Sequence, residues 1–102
     1  MLIDLTLTTT ESPVVKFEKE TVNLNCQPSL LASVYWSRKS DGSPDVTSVK
    51  TLGSRFRVLD NGTLVIETLT STDQGEYTCI VEHMYGARAN KSVFLEVKGK
   101  MN

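Results

Sequence analysis

The sequence predicts an all-β fold: a sandwich of two antiparallel sheets with seven to nine short strands in Greek-key order. Three observations carry this. Apolar and polar residues alternate with a period of two over most of the chain, and no 3.6-residue period appears. Clusters of turn formers, Ser40-Asp41-Gly42-Ser43-Pro44 and Asp60-Asn61-Gly62, punctuate the alternating runs. The stretch Asp73-Gln74-Gly75-Glu76-Tyr77-Thr78-Cys79 then sends Tyr77, Cys79 and Val81 to one strand face and Glu76, Thr78 and Ile80 to the other. The first face needs apolar partners, which Cys26 and Trp36 supply from earlier strands.

Taken in order, Ile3, Leu5 and Leu7 alternate with Asp4, Thr6 and Thr8 in a half-exposed first strand. Pro13 interrupts it, as suits an edge strand that switches sheets, and Val14 and Val15 resume it. Val22, Leu24 and Cys26 give the next strand its inner face, and residues 28–33 form a loop. Val34 and Trp36 point inward on the third strand, with Tyr35 and Ser37 outward. Residues 45–50 and 55–59 make two short strands. Asn61-Gly62 marks a hairpin, because the pair tolerates the positive φ of a type I′ turn. Leu64 and Ile66 face the core and Leu69 caps it. The strand 76–82, a loop over 83–90, and a last strand with Val93, Leu95 and Val97 inward complete the chain.

At 102 residues the chain reads as one domain, 1–102 with a core of about 3–98. A domain of this size buries roughly two-thirds of its unfolded surface. Apolar content of 39% and charged content of 23% are those of a folded domain, and a net charge of −1 argues against nucleic acid as partner. No apolar run reaches membrane-span length, so no direct membrane insertion is expected of this stretch. Met1-Leu2-Ile3-Asp4 lacks a basic n-region, and Met1 reads as a start added to a fragment of a larger multidomain protein. Cys26 and Cys79 lie 53 positions apart on alternating runs. A disulfide closing that loop is worth about 4 kcal/mol in the chain-entropy model. The alternative is a pair of buried thiols in an intracellular protein; the bridge is preferred and implies an oxidising compartment.

Cys26, Trp36, Leu64-x-Ile66, Asp73-x-Gly75-x-Tyr77-x-Cys79 and Leu95-x-Val97 together resemble the immunoglobulin superfamily, nearest its I-set, over residues 14–97. The resemblance implies a corner role for Tyr77, whose hydroxyl bonds back to upstream backbone, and a pairing of Arg55 with Asp73. The run Gln27 to Trp36 departs from the I-set pattern. With Val81-Glu82-His83 and Leu95-Glu96-Val97 it is similar to the immunoglobulin domain of secreted semaphorins.

No catalytic constellation is legible, and an enzyme is not expected. The single histidine, His83, has no nucleophile turn to serve, and a locally bonded loop histidine is the simpler reading. Glu82 and His83 are adjacent strand residues and point apart, so no metal or other cofactor is expected. Binding is the remaining class. Tyr35, Ile80 and Phe94 face outward on strands that adjoin in this fold, and form the first candidate face. Leu30 and Leu31 with Met84 and Tyr85, on two loops at one end, form the second, with one of the two leucines expected to plug the core. Arg38, Lys39, Lys50, Arg55 and Arg57 fall within twenty residues holding two acids, a basic strip suited to a weak glycosaminoglycan contact. Asn61-Gly62-Thr63 and Asn90-Lys91-Ser92 are glycosylation sequons. The expected function is an extracellular or cell-surface protein–protein interaction module of an adhesion, receptor or guidance protein, binding a protein partner or itself. The alternatives are a structural spacer, and an intracellular muscle-type I-set scaffold domain with reduced cysteines.

Overall fold

The computed structural model describes residues 4–99; Ile3 of the expected first strand lies outside them. Ten strand segments follow one another: β1 Leu7–Thr9, β2 Val14–Phe17, β3 Val22–Leu24, β4 Cys26–Pro28, β5 Ser33–Ser40, β6 Val46–Ser48, β7 Phe56–Val58, β8 Leu64–Ile66, β9 Gly75–Glu82 and β10 Arg88–Lys98. β3 and β4 are two halves of one strand broken only at Asn25, so nine strands result. One sheet runs β2-β10-β9-β5-β6; the other layer holds β3-β8-β7 and the pair β1-β4. All pairs are antiparallel except β2 with β10, which run parallel. That exception follows from the switch at Ser12-Pro13, where the chain leaves β4's side and crosses to the other sheet.

The core lies between the layers. Val22, Leu24, Leu64, Ile66 and Leu69 meet Trp36, Tyr77, Val81, Val93 and Leu95, all essentially buried. Cys26 and Cys79 are joined by a disulfide across the layers. Trp36 is in register with Cys79, and its indole Nε1 donates to the Gly62 carbonyl at 2.8 Å, so the ring is both packed and satisfied.

Several local expectations need correction. The strand expected over 45–50 stops at Ser48, and a 3-10 turn over Val49–Thr51 tucks Val49 into the core. Phe56, unremarked in the sequence, is buried too. The last strand starts at Arg88 rather than after Asn90, which shortens the loop to 83–87. The hairpin at Asn61-Gly62 is not type I′. Gly62 alone has positive φ, Gly62 N donates to the Leu59 carbonyl, and Leu59 N donates to the Thr63 carbonyl. This is a type I turn followed by a glycine bulge, a standard longer hairpin. Gly62 is obligatory for a second reason: a Cβ there would sit 2.8 Å from the Cys26 carbonyl oxygen.

Both outer edges of the five-stranded sheet are short. In β2, Val15 and Phe17 face outward, while Lys16 falls on the inner side beside Val97.

Candidate functional site

The sandwich has two unlike ends. β5 runs from Ser33 to Ser40 against β9 running from Glu82 back to Gly75. The loops before β5 and after β9 therefore share one end, called upper here, and the turn before β9 sits at the lower end.

The lower end is organised by Asp73, which is only 1% exposed although charged. Its carboxylate accepts from Arg55 Nη1 at 2.9 Å and Nη2 at 3.0 Å, and from the Thr70 amide at 2.9 Å. The two Arg55 bonds form a bidentate fork, the arrangement that offsets burial of a charge. They also raise the Arg55 pKa. The Asp73 carbonyl accepts from the Tyr77 hydroxyl at 2.6 Å. Burial of that phenol pushes its pKa up to about 12. Gly75 is required because a Cβ there would strike the Lys39 carbonyl where β5 ends. The motif Asp-x-Gly-x-Tyr-x-Cys is thus a structural device: anion receptor, close approach, corner bond and disulfide in seven residues. Gln74, which sequence reasoning passed over, links the turn after β5 to β10 there, donating to Asp41 Oδ2 and accepting from Val97 N.

The same hub dissolves the basic strip. Arg38 points inward in register with Tyr77, 3.9 Å from Asp73 and 5.7 Å from the Phe56 ring centre. Arg55 is held by Asp73, and Arg57 pairs with Glu67 at 2.8 Å. Of the five cations only Lys39 and Lys50 are exposed without an ion pair among the described residues. Consecutive sequence placed on alternating faces is the reason.

The first candidate face is also dispersed. Ile80 stands opposite Tyr35 on one side and Asn90 on the other, but Phe94 pairs with Glu76. The polar row Ser37-Thr78-Ser92 lies between, so Phe94 is two rows, roughly 14 Å, from Ile80. Phe94 is half-buried near Lys39 and Glu76.

The residues of the second candidate do share one end, with one change from the expectation. Leu31, Met84 and Tyr85 are 95%, 84% and 77% exposed, and Leu30 is also exposed, so neither leucine plugs the core. Leu5 and Ala32 pack there instead. The 83–87 turn is braced: His83 N donates to the Ala87 carbonyl, Gly86 N to the His83 carbonyl, and Tyr85 N to His83 Nδ1. His83 is thus the locally bonded loop histidine expected. Glu82 clamps the base of the turn through Arg88. The upper end is a rigid base that displays large apolar side chains to solvent. Asn61 lies at the same end, in a shallow hollow shared with Leu30 and Leu31.

A profile of the immunoglobulin domain matches residues 6–83. The chain is 35% identical over 80 residues to the human cell adhesion molecule DSCAM, covering 76% of this chain and 4% of that protein. It is 35% identical over 75 residues to human contactin-2, covering 72% of this chain and 6% of that one. Among solved structures, the Ig-like domain of human leucine-rich repeat-containing protein 4 superposes with a TM-score of 0.71 at 26% identity, covering 94% of this chain and 89% of that one. Extracellular domains 3–5 of Drosophila OTK give 0.69 at 28%, covering 90% of this chain and 31% of that one.

This is a disulfide-bridged β-sandwich around a hydrophobic core, and the chain belongs to the immunoglobulin family. Within it, the similarity is to cell adhesion molecules; none of these relatives is a semaphorin. The chain spans only a small fraction of the length of the curated relatives it matches.

Proposed function

We propose that this domain is an extracellular protein–protein interaction module within a larger multidomain adhesion-type protein, and that it contacts a protein partner through its upper end. The observation carrying this is the convergence of Leu31, Met84 and Tyr85, three of the most exposed large apolar side chains, on one braced end. The disulfide supports an oxidising compartment, and similarity to adhesion molecules supports the class of partner: another cell-surface or secreted protein, or a second copy. The glycosaminoglycan reading loses its support with the basic strip.

The test combines sedimentation equilibrium with binding to a panel of cell-surface ectodomains, for the unaltered chain, a Leu31→Ser/Met84→Ser/Tyr85→Ser variant and Phe94→Glu. Loss of association at least tenfold in the first variant, with Phe94→Glu unaffected, is the expected result. The reverse pattern would discard the upper end. Two titratable thiols in native material would sink the extracellular placement and favour the intracellular scaffold.

A spacer role is the second reading, and one observation favours it. The backbone enters at this same end, where Thr6 N donates to Ser29 Oγ and Ser29 N to the Thr6 carbonyl. A neighbouring domain of the parent chain would then be the occupant. Hydrogen exchange at 83–87, slowed in the parent relative to the isolated chain, would identify that case.

A further inference from the structure

Asn90 is poorly explained by its local structure. It sits inside β10, where asparagine is disfavoured, and its side chain is exposed and makes no hydrogen bond among the described residues. Asn61, by contrast, shapes its own turn, since its Oδ1 accepts from Thr63 N and the Thr63 hydroxyl is buried against Asn25. What Asn90 does have is Ser92 two positions on, and a specific row of neighbours. Ile80 stands directly opposite it, and Tyr35, with a ring 45% exposed, stands opposite Ile80. The row Asn90-Ile80-Tyr35 spans three adjacent strands, about 10 Å across. Ile80 is half-buried and Tyr35 about half exposed, so both present apolar surface beside Asn90.

We propose that Asn90 carries an N-linked glycan whose first sugars lie across Ile80 onto the ring of Tyr35, covering the upper part of the five-stranded sheet with carbohydrate. The inference rests on the extracellular reading above. In the transfer, Asn90 Nδ2 attacks the anomeric carbon of a lipid-linked oligosaccharide. The N–C bond forms, the bond from that carbon to the lipid pyrophosphate breaks, and one amide proton is released. The apolar face of the sugar ring then meets an aromatic platform that is otherwise wet. Carbohydrate on this row directs protein contacts toward the upper end.

The chain, given a secretion leader in a eukaryotic host, is compared with its Asn90→Gln and Asn61→Gln forms by intact mass. Asn90→Gln is expected to be lighter by one glycan, and an unchanged glycan mass would overturn the proposal. With the glycan trimmed to one N-acetylglucosamine, nuclear Overhauser contacts and ring-current shifts should connect the sugar to Tyr35. Both should vanish in Tyr35→Ser, together with a few degrees of thermal stabilisation by the glycan. Sugar signals indifferent to Tyr35→Ser would overturn the packing. Because secretion is imposed, these failures bear on the glycan alone, whereas reduced cysteines in native material bear on the extracellular reading.

Discussion

The two ends of this sandwich solve opposite problems. At the lower end a charged group is buried and satisfied: Arg55 and Thr70 bond the Asp73 carboxylate, and Tyr77 bonds its backbone carbonyl. At the upper end large apolar groups are left in water above a turn that is satisfied internally. One end is fixed by contacts it already makes, and the other leaves its largest side chains without contacts. The family motif concentrates at the first, and the proposed contact surface lies at the second.

The largest way to break this contrast is at Asp73. Asp73→Ala leaves Arg55 without its partner and the 71–73 turn without its cap, and should cost about 3 kcal/mol, since Arg55 is partly exposed and screened. Urea unfolding would measure it, and a loss below about 1 kcal/mol would mean that the hub is ornamental. Next comes alkaline pH. The unfolded tyrosine releases its proton near pH 10 while native Tyr77 holds it to about 12. The unfolded state thus binds fewer protons in that window, and stability falls from pH 10 toward 12 by roughly 2–3 kcal/mol. Tyr77→Phe should flatten that fall, as read by denaturation at stepped pH.

A smaller effect of opposite sign is expected at Thr68. This β-branched residue is held at φ 52°, with its carbonyl bonded by Arg55. Such a conformation strains threonine and not glycine, so Thr68→Gly should stabilise by about 0.5–1 kcal/mol. A loss instead would mean that its side chain matters more than its backbone. At the other end, serine at Leu31, Met84 or Tyr85 should change stability by less than about 0.5 kcal/mol each, because nothing buried is uncovered. A larger loss would show that the upper end is part of the core after all.

The same contrast explains what could be read in advance. The disulfide and Trp36 packing are legible because period-two alternation encodes burial directly, whereas the Arg55–Asp73 pair and the Tyr77 corner are legible only through the family resemblance. Arg38 was not, since its inward direction depends on the register with Tyr77, and nothing in a run of basic residues marks which one turns in. Phe94 failed for the same reason: alternation gives its face, but only pairing reveals that Thr78 and Ser92 separate it from Ile80. Val49 escaped because a 3-10 turn breaks the alternation that would have flagged it. The exposed loop residues were found by composition and position, and their expected inward member was misjudged because Leu5 had already filled that place.

Lys16 gives the sheet edge a further meaning. Lys16 falls on the inner side of β2, so a second strand laid along this edge would crowd a charged side chain between the sheets. Backbone pairing between molecules repeats without limit, whereas contact through a side-chain surface saturates once that surface is occupied. For any domain held at high local density, open-ended stacking of sheet edges is a hazard. One lysine on the inner side of its strand stands against that stacking.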